Sequence, residues 1–498
     1  MGEFHFRIPE FWDFESRHVR TVHVIGIDGI PRPCNVKKID NELIIRRNQN
    51  ESGRTYIAFP FSHVGELTVC TGTLLESNIP YDLALELARG TLNRARNQIS
   101  IWEEGGLEIP SEVSELILKS IQYFSTALIS DDQTKDHLSR QSLDTTMEAI
   151  FKLCEEFGRE ISSYRVNEPE IPLFWLARTS WKENKSRNFD SFDLVAFEKF
   201  DDSFPQNADS FNKVVVGPLL DASPGSIFSE GHADFESARQ AVLDNCDRLF
   251  DTCDQNNVTM IHAASNLNGI GHRNLSYRQQ LQLTTELLGK LDQTTSEIPV
   301  MISFDYPWAE KLAWSVGGIH PLQIADDLMR TGSKISFIGL DINLDYWPCG
   351  SVSRDPLQWI DLIDSWSQIG LPLVICLRVP HEPSEPAKNV EELKFDPAEN
   401  VTIALDQRTT ENETTSPTNQ QIAQNSIREN LSDQQRYNLL EVILPMVVAR
   451  PSVHGIIWRQ WSDQQEPRFP FAGLIDDLGK EKSTLRAIQN LRDNTLKR

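Results

Sequence analysis

Acidic, amide and aromatic residues follow two short apolar runs in the second half of the chain. Asp305, Tyr306 and Trp308 come at the end of one run, and Asp341 and Asn343 come at the end of the next. Carboxylates and amides hydrogen-bond to sugar hydroxyls, and aromatic rings stack on the apolar faces of sugars. Two carboxylates on either side of a cleft can act as acid and base in the cleavage of a glycosidic bond. These residue types make Asp305 and Asp341 the candidate catalytic pair.

Seven residues in comparable positions are candidates for contacting a substrate. They are Asp221, Asn266, Trp308, Asn343, Trp347, Trp458 and Asp463. Each type also has an ordinary structural role, since an aspartate after a strand often caps the next helix and a tryptophan often fills the core. The set as a whole indicates a ligand site more strongly than any single member does.

The sequence contains no motif for a metal ion or a nucleotide cofactor. It has no HExxH, no paired His/Cys spacing, no phosphate-binding loop and no Gly-x-Ser-x-Gly. Gly269-Ile270-Gly271 lacks the third glycine of a dinucleotide-binding turn, so an ordinary turn is the simpler interpretation. We therefore predict no metal site and no cofactor.

Charge and cysteine usage exclude several classes of partner. The net charge is −24, from 72 acidic and 48 basic residues, which disfavours nucleic acid and anionic membrane surfaces. We find no secretory signal at the start of the sequence and no apolar run near the ~20 residues of a membrane helix. Seven scattered cysteines without a CxxC pair indicate reduced thiols. These features predict a cytoplasmic protein with no nucleic-acid or membrane partner, and leave its oligomeric state open.

The candidate residues belong to a region in which short apolar runs alternate mostly with amphipathic segments. The runs begin near residues 173, 193, 213, 258, 299, 335, 372 and 453. Strands that are apolar on both faces and separated by helices are typical of parallel sheets, and eight of them favour a closed (β/α)8 TIM barrel of the α/β class. An open doubly wound sheet is the alternative, but usually carries a glycine-rich phosphate turn. Ligands bind at the carboxyl ends of the strands in both folds.

Composition divides the chain into three parts. Residues 1–79 are rich in short β-branched runs, predicted at 20–27, 42–46, 56–61 and 66–71, and form a small β-rich domain. Residues 80–165 form a helical segment, with helices predicted at 81–98, 113–128 and 143–164. Residues 166–498 form the barrel, in which the polar stretch 381–432 is a flexible insertion.

Several motifs resemble family ten of the glycoside hydrolases, the xylanase family. An apolar strand ending in Trp458, a loop with Asp463 and the tail AGLIDDLGKEK look like that family's last strand and closing segment. ISFIGLDINL and GLPLVICLRV are similar to its sixth and seventh strands, and VMISFDYPW to its fifth. The β-rich start and GPLLDASPG also resemble uncharacterised xylanase-like proteins of planctomycete-type bacteria. The resemblance implies a hydrolase of O-glycosyl bonds in a β-linked, xylan-type oligo- or polysaccharide.

The chain departs from this family where the family places its catalytic glutamates. The nucleophile position corresponds to Leu377, and no glutamate lies near Ala263 or Ala264, where the resemblance places the acid/base. Asn343 stands in place of a histidine. Two hypotheses follow: an enzyme of altered chemistry that uses Asp305 and Asp341, or a catalytically inactive carbohydrate-binding or scaffolding protein.

Overall fold

The computed structural model describes residues 2–166, 174–179, 194–197, 214–221, 235–253, 258–268, 276–295, 297–313, 318–346, 350–381, 433–463 and 469–496. Trp347 lies outside these ranges. So do residues 382–432, which are nearly all of the predicted insertion.

A parallel sheet forms the second half of the chain. Its strands are β9 (Phe174–Thr179), β10 (Leu194–Phe197), β11 (Val214–Val216), β12 (Leu220–Asp221), β13 (Val258–Ser265), β14 (Val300–Asp305), β15 (Phe337–Asn343), β16 (Leu373–Arg378) and β17 (Val453–Trp458). Neighbouring strands pair in parallel and in chain order, except that the short β12 and β11 both pair with β13. The sheet curls round until β17 pairs with β9, with Gly455 opposite Phe174. The predicted α/β class with a barrel-like parallel sheet is confirmed, and this closure excludes an open doubly wound sheet.

Helices connect and cover these strands. They are α5 (Phe235–Cys253), α6 (Tyr277–Thr294), a 3₁₀ helix (Glu310–Ala313), α7 (Pro321–Arg330), α8 (Pro356–Ser367), α9 (Asp433–Ala449) and α10 (Ser483–Leu496). α8 begins with an aspartate cap: the Asp355 side chain accepts a hydrogen bond from the Gln358 amide, and Pro356 occupies the first turn. Its Trp359 and Trp366 are fully buried.

The two faces of the barrel strands belong to separate cores. Alternate residues form an apolar layer inside the ring, consisting of Val215, Met260, Met301, Val374, Cys376 and Ile457, with Phe337 beside it. Their neighbours in sequence, such as Ile302 and Ile375, pack in the outer core under the helices. Because side chains alternate along a strand, residues at even spacing beyond the inner layer also face the inside of the ring.

Two four-stranded sheets precede the barrel, with strand orders β4-β5-β1-β8 and β3-β2-β6-β7. Their strands are β1 (Gly2–Arg7), β2 (His23–Gly26), β3 (Pro31–Arg32), β4 (Cys34–Ile39), β5 (Glu42–Arg47), β6 (Gly53–Phe61), β7 (Gly65–Cys70) and β8 (Ser77–Asp82). The strand predicted at 20–27 is wrong at its start, since residues 20 and 21 belong to helix α1 (Ser16–Thr21). His18 caps this helix by accepting a hydrogen bond from the Glu15 amide. The predicted boundary at residue 79 falls inside β8.

Three long helices link the sheets to the barrel: α2 (Leu83–Glu104), α3 (Ser111–Ala127) and α4 (Asp132–Val166). Arg94 of α2 donates to the buried Asp355 carboxylate at the start of α8, at 2.7 and 3.2 Å. The Thr68 amide of β7 donates to the Ser353 carbonyl at 2.7 Å. The sheets and α2 are thus fastened to the connection between β15 and α8, on the side of the barrel where the carboxyl ends of its strands lie.

Candidate functional site

A layer of polar side chains lies above the apolar layer inside the barrel. These residues are reached by continuing along the inward-facing positions toward the carboxyl ends of the strands. They are His262, Ser303, Asp305, Asp341, Asn343, Arg378 and Arg459, and all are buried. We call this set the mouth network.

One branch of the mouth network runs across three strands to Asp341. Ser303 donates to Asp341 Oδ2 at 2.5 Å, and His262 Nε2 lies 2.9 Å from the Ser303 hydroxyl. Because the serine proton is committed to the carboxylate, His262 donates its Nε2 proton to the serine oxygen. Arg459 Nε lies 3.4 Å from Asp341 Oδ1 and supplies a positive charge. Gly339 makes this approach possible, since a Cβ there would lie 2.7 Å from Ser303 Cβ.

The other branch holds Asp305. Asn343 donates to Asp305 Oδ1 at 3.2 Å, and Arg378 donates to Asn343 Oδ1 at 2.9 Å, so the asparagine amide is used at both ends. The Arg378 guanidinium also lies 4.4 Å from the centre of the Phe469 ring. Asn268 donates to the Asp305 backbone carbonyl. These contacts fix the orientation of the Asp305 carboxylate.

The structure brings Asp305 and Asp341 together on adjacent strands, where they are direct register partners. Their Cα atoms are therefore about 4.8 Å apart, the normal spacing of neighbouring strands. The carboxylates are 3% and 2% exposed. An inverting glycosidase holds its carboxyl groups ~6.5–9.5 Å apart with a water between them. A buried pair on neighbouring strands does not resemble that arrangement, and the catalytic role of the two residues stays a prediction.

Asp221 and Asn266 lie together at the ends of β12 and β13. Asn266 Nδ2 donates to Asp221 Oδ1 at 2.6 Å, and the Ser265 hydroxyl donates to the same oxygen at 3.2 Å. Asn266 has a φ of 57°, in the left-handed region that asparagine tolerates better than most residues. Both side chains are half-buried, which leaves part of this polar pair open to a ligand.

Trp458 and Asp463 hold the closing segment of the chain. Trp458 is 1% exposed and its Nε1 donates to the Ala472 carbonyl at 2.9 Å, so its ring offers no open face to a sugar. Asp463 accepts from Lys482 Nζ at 2.7 and 2.6 Å and from the Gly473 amide at 2.9 Å. Burial raises the pKa of Asp463, and Lys482 opposes that rise.

Trp308 lies away from the mouth network. Its Nε1 donates to the Gln358 carbonyl at 3.2 Å, its ring meets Trp359 edge-on, and the Arg354 guanidinium lies 5.0 Å from its centre. The half-buried ring lines a cavity between the N-terminal sheet and the barrel helices. Trp347 is outside the described residues.

Sequence reasoning missed His262, Ser303, Arg378 and Arg459. Ser303 and His262 lie before the ends of their apolar runs. Arg378 and Arg459 directly follow runs that end in Leu377 and Trp458, but they carry neither the carboxylate nor the aromatic ring that marked the candidates. A polar residue at an inward position of an otherwise apolar strand was the available signal. Leu377, at the position where the resemblance places the nucleophile, is buried in the outer core, and the next residue, Arg378, enters the barrel instead.

Among the described residues, no group of three or more His, Cys, Asp or Glu side chains is arranged to hold a metal ion. Within the same ranges no helix has the length and apolarity needed to span a bilayer.

Comparison with known proteins finds likeness only among solved structures. No known family matches the sequence, and no curated protein matches it. Xylanase 10B from Thermotoga maritima is similar at a TM-score of 0.42 and 12% identity, over 68% of this chain and 98% of that one. The intracellular xylanase TsXylA from Thermoanaerobacterium saccharolyticum gives 0.39 and 11%, over 64% and 99%. These structural neighbours are family 10 xylanases. At such scores and identities the likeness carries no activity over to this chain.

Proposed function

We propose that this chain is a saccharide-binding protein on a xylanase-like barrel, and that its strand-end aspartates organise the mouth of the barrel without cleaving glycosidic bonds. The observation that carries the proposal is that both carboxylates are buried and that each is held by polar neighbours inside the barrel. Asp341 is held by Ser303 and Arg459, and Asp305 is held by Asn343. A general acid or nucleophile must instead reach the scissile bond.

The absence of the family's glutamates is part of this proposal. Leu377 lies in the outer core, and Ala263 and Ala264 are fully buried, so none of these positions offers a carboxylate. The ligand we propose is a β-linked, xylan-type oligosaccharide, as the sequence resemblance implies. Asp221 and Asn266 are the half-buried polar groups placed to contact its hydroxyls.

A cytoplasmic location accords with a short oligosaccharide as ligand. Cys70, Cys154 and Cys246 are buried thiols that form no disulfide, as expected in a reducing compartment. Burial raises the pKa of the Cys246 thiol to about 11, so it remains protonated and unreactive near neutral pH.

A specific observation favours a second candidate, a glycosidase of altered chemistry. Asp341 Oδ1 makes no hydrogen bond and faces only the Arg459 charge. A rearrangement that swings Arg459 away would leave a carboxylate oxygen ready to accept a proton at the mouth of the barrel.

Hydrolysis and binding assays separate the two candidates. The intact protein is assayed on aryl glycosides and on xylo- and gluco-oligosaccharides, and its thermal unfolding is followed with each sugar. We expect no turnover, together with a rise in melting temperature when the sugar is added. Asp221→Asn should diminish this rise. Asp326→Asn, a change at an exposed position on α7, should leave it unchanged. Turnover that Asp305→Asn or Asp341→Asn abolishes with the fold intact would establish the glycosidase.

A further inference from the structure

A cavity of about 760 Å³ lies between the N-terminal sheet and the barrel helices. On one side are the turn after β2, including Asp28, and Arg54 of β6; on the other are Trp308, Asp361 and Ser365. We call it the inter-region cavity. Its volume is in the ~300–1,000 Å³ range of small-molecule sites. None of its walls belongs to the mouth network.

The charges that line the inter-region cavity are unequally neutralised. Both acidic residues of the lining have arginine partners that lie outside it: Asp28 pairs with Arg32, and Asp361 with Arg94 at 3.5 Å. Arg54, in contrast, donates only to the Thr73 hydroxyl at 3.4 Å and has no carboxylate within 4 Å among the described residues. The lining therefore presents the guanidinium of Arg54, an exposed side chain without a carboxylate partner in the described ranges, in a protein whose net charge is −24.

A second arginine, Arg354, stands in the wall of the cavity and is 1% exposed. Its Nη1 donates to Gln358 Oε1 at 2.8 Å and its guanidinium covers the Trp308 ring, but Nε and Nη2 have no hydrogen-bond partner. The nearest carboxylate, Glu310, lies 3.9 Å from Nη2, beyond hydrogen-bond distance. Burial lowers the pKa of Arg354. Unsatisfied buried donors of this kind are costly unless a ligand supplies acceptors.

We propose that the inter-region cavity binds a small organic anion, a carboxylate or a phosphate monoester with an aromatic or apolar body. The charged group is held by Arg54 and Arg354, since guanidinium groups form paired hydrogen bonds with carboxylate and phosphate oxygens. The body of the ligand lies against the Trp308 ring and the apolar side chains Ile25 and Leu362. Such a ligand contacts the N-terminal sheet and the barrel at once, and this site is independent of the sugar-binding role proposed for the mouth.

Calorimetric titration of the full chain with phenyl phosphate and with benzoate tests the proposal. Phenol and benzyl alcohol are the neutral probes. We expect saturable binding of the anions at least tenfold tighter than that of the neutral compounds, and a tenfold or greater weakening in Arg54→Gln. Arg46→Gln is the matched control, because Arg46 is an exposed arginine on the other N-terminal sheet, paired with Glu3. Equal binding of neutral and anionic probes, or an equal effect of the two substitutions, overturns the proposal.

A substitution that fills the cavity provides a test that does not depend on charge. Ser365 is exposed at the rim of the cavity on α8, so Ser365→Trp places a large ring there without disturbing the core. Binding of phenyl phosphate is expected to fall at least tenfold, with circular dichroism unchanged. Undiminished binding in a folded Ser365→Trp protein places the anion elsewhere and refutes the site.

Discussion

The mouth network and the inter-region cavity both contain arginines, yet they differ in how those arginines are used. In the mouth, Arg378 donates to Asn343 and Arg459 lies beside the Asp341 carboxylate. At the cavity, Arg354 has two nitrogens without hydrogen-bond partners, and Arg54 has no carboxylate nearby. In the first arrangement each guanidinium has a polar partner inside the barrel, although Asp341 Oδ1 makes no hydrogen bond. In the second arrangement a ligand supplies the acceptors that the Arg354 nitrogens lack.

This difference separates two uses of buried polarity. A network whose members satisfy one another orients side chains and makes the local structure unique, but it leaves little capacity to bond to a substrate. A site with unsatisfied donors costs stability in the free protein and recovers that cost on binding. Substitutions in the mouth should therefore act mainly on folding, and substitutions in the cavity mainly on ligand affinity.

The largest effect on folding is expected from Arg459→Met. The change leaves the Asp341 carboxylate, which is 2% exposed, without its neighbouring cation. Removing one partner of a buried ion pair costs about 3–5 kcal/mol. Urea unfolding monitored by tryptophan fluorescence measures this loss.

The matched control is Arg330→Met on α7, which breaks an exposed pair with Asp326 at 2.7 Å and should cost at most about 0.5 kcal/mol. Adding Asp341→Asn to Arg459→Met should recover part of the loss, because the orphaned charge is removed. Equal costs for the two arginine substitutions would mean that the mouth network is not a stabilising unit.

The next effect is a pH dependence that arises at His381, just beyond the end of β16. Burial, reinforced by Lys482 and Arg436, lowers the pKa of His381 to about 3, while its Nδ1 lies 3.2 Å from the Phe471 carbonyl. Below about pH 6.5 this histidine binds a proton in the unfolded chain but not in the folded chain. The free energy of unfolding therefore falls as the pH falls. Between about pH 6 and pH 4 this one group contributes about 1.4 kcal/mol per pH unit.

Urea unfolding at pH 7, 5 and 4 in wild type and His381→Gln isolates that contribution. The variant is less stable at pH 7 because it loses the contact with Thr484. The slope of its free energy of unfolding against pH should be smaller than that of wild type by the equivalent of about one bound proton. Parallel slopes in the two proteins would show that His381 binds its proton as readily in the folded state as in the unfolded chain. The comparison of slopes is unaffected by the carboxylates elsewhere in the chain, since they are common to both proteins.

Periodicity and end signals predicted most of the barrel elements. Each of the eight apolar runs begins within two residues of a strand, namely β9, β10, β11, β13, β14, β15, β16 or β17, and Asp355-Pro356 supplies the cap and first-turn proline of α8. These signals are local, because the residues that cap or end an element are its own neighbours in sequence. The run that begins near residue 213 forms two short strands, β11 and β12, which are divided at Gly217-Pro218.

The site was less predictable because it depends on contacts between distant elements. The spacing of Asp305 and Asp341 in sequence does not show that they are register partners, a relation set by the alignment of two strands. The burial of Trp458 depends on the Ala472 carbonyl in the closing segment. The pairing of Ser303 with Asp341 depends on a glycine in the neighbouring strand, which reads in the sequence as an ordinary strand position.

That glycine gives the smallest of the predicted effects and the most direct test of crowding in the mouth. In Gly339→Ala the new Cβ would lie 2.7 Å from Ser303 Cβ, so β14 or β15 must shift and the bond from Ser303 to Asp341 is strained. Overpacking of this kind costs about 1–3 kcal/mol. The same substitution at Gly289, inside α6 and with open space around it, should stabilise the protein by about 0.5–1 kcal/mol because alanine favours the helix. Both effects are measured as shifts in the urea midpoint. Opposite signs for the two Gly→Ala changes locate the strain in the mouth network. A stabilising Gly339→Ala would mean that the strands have room to part and that Ser303 is not held against Asp341.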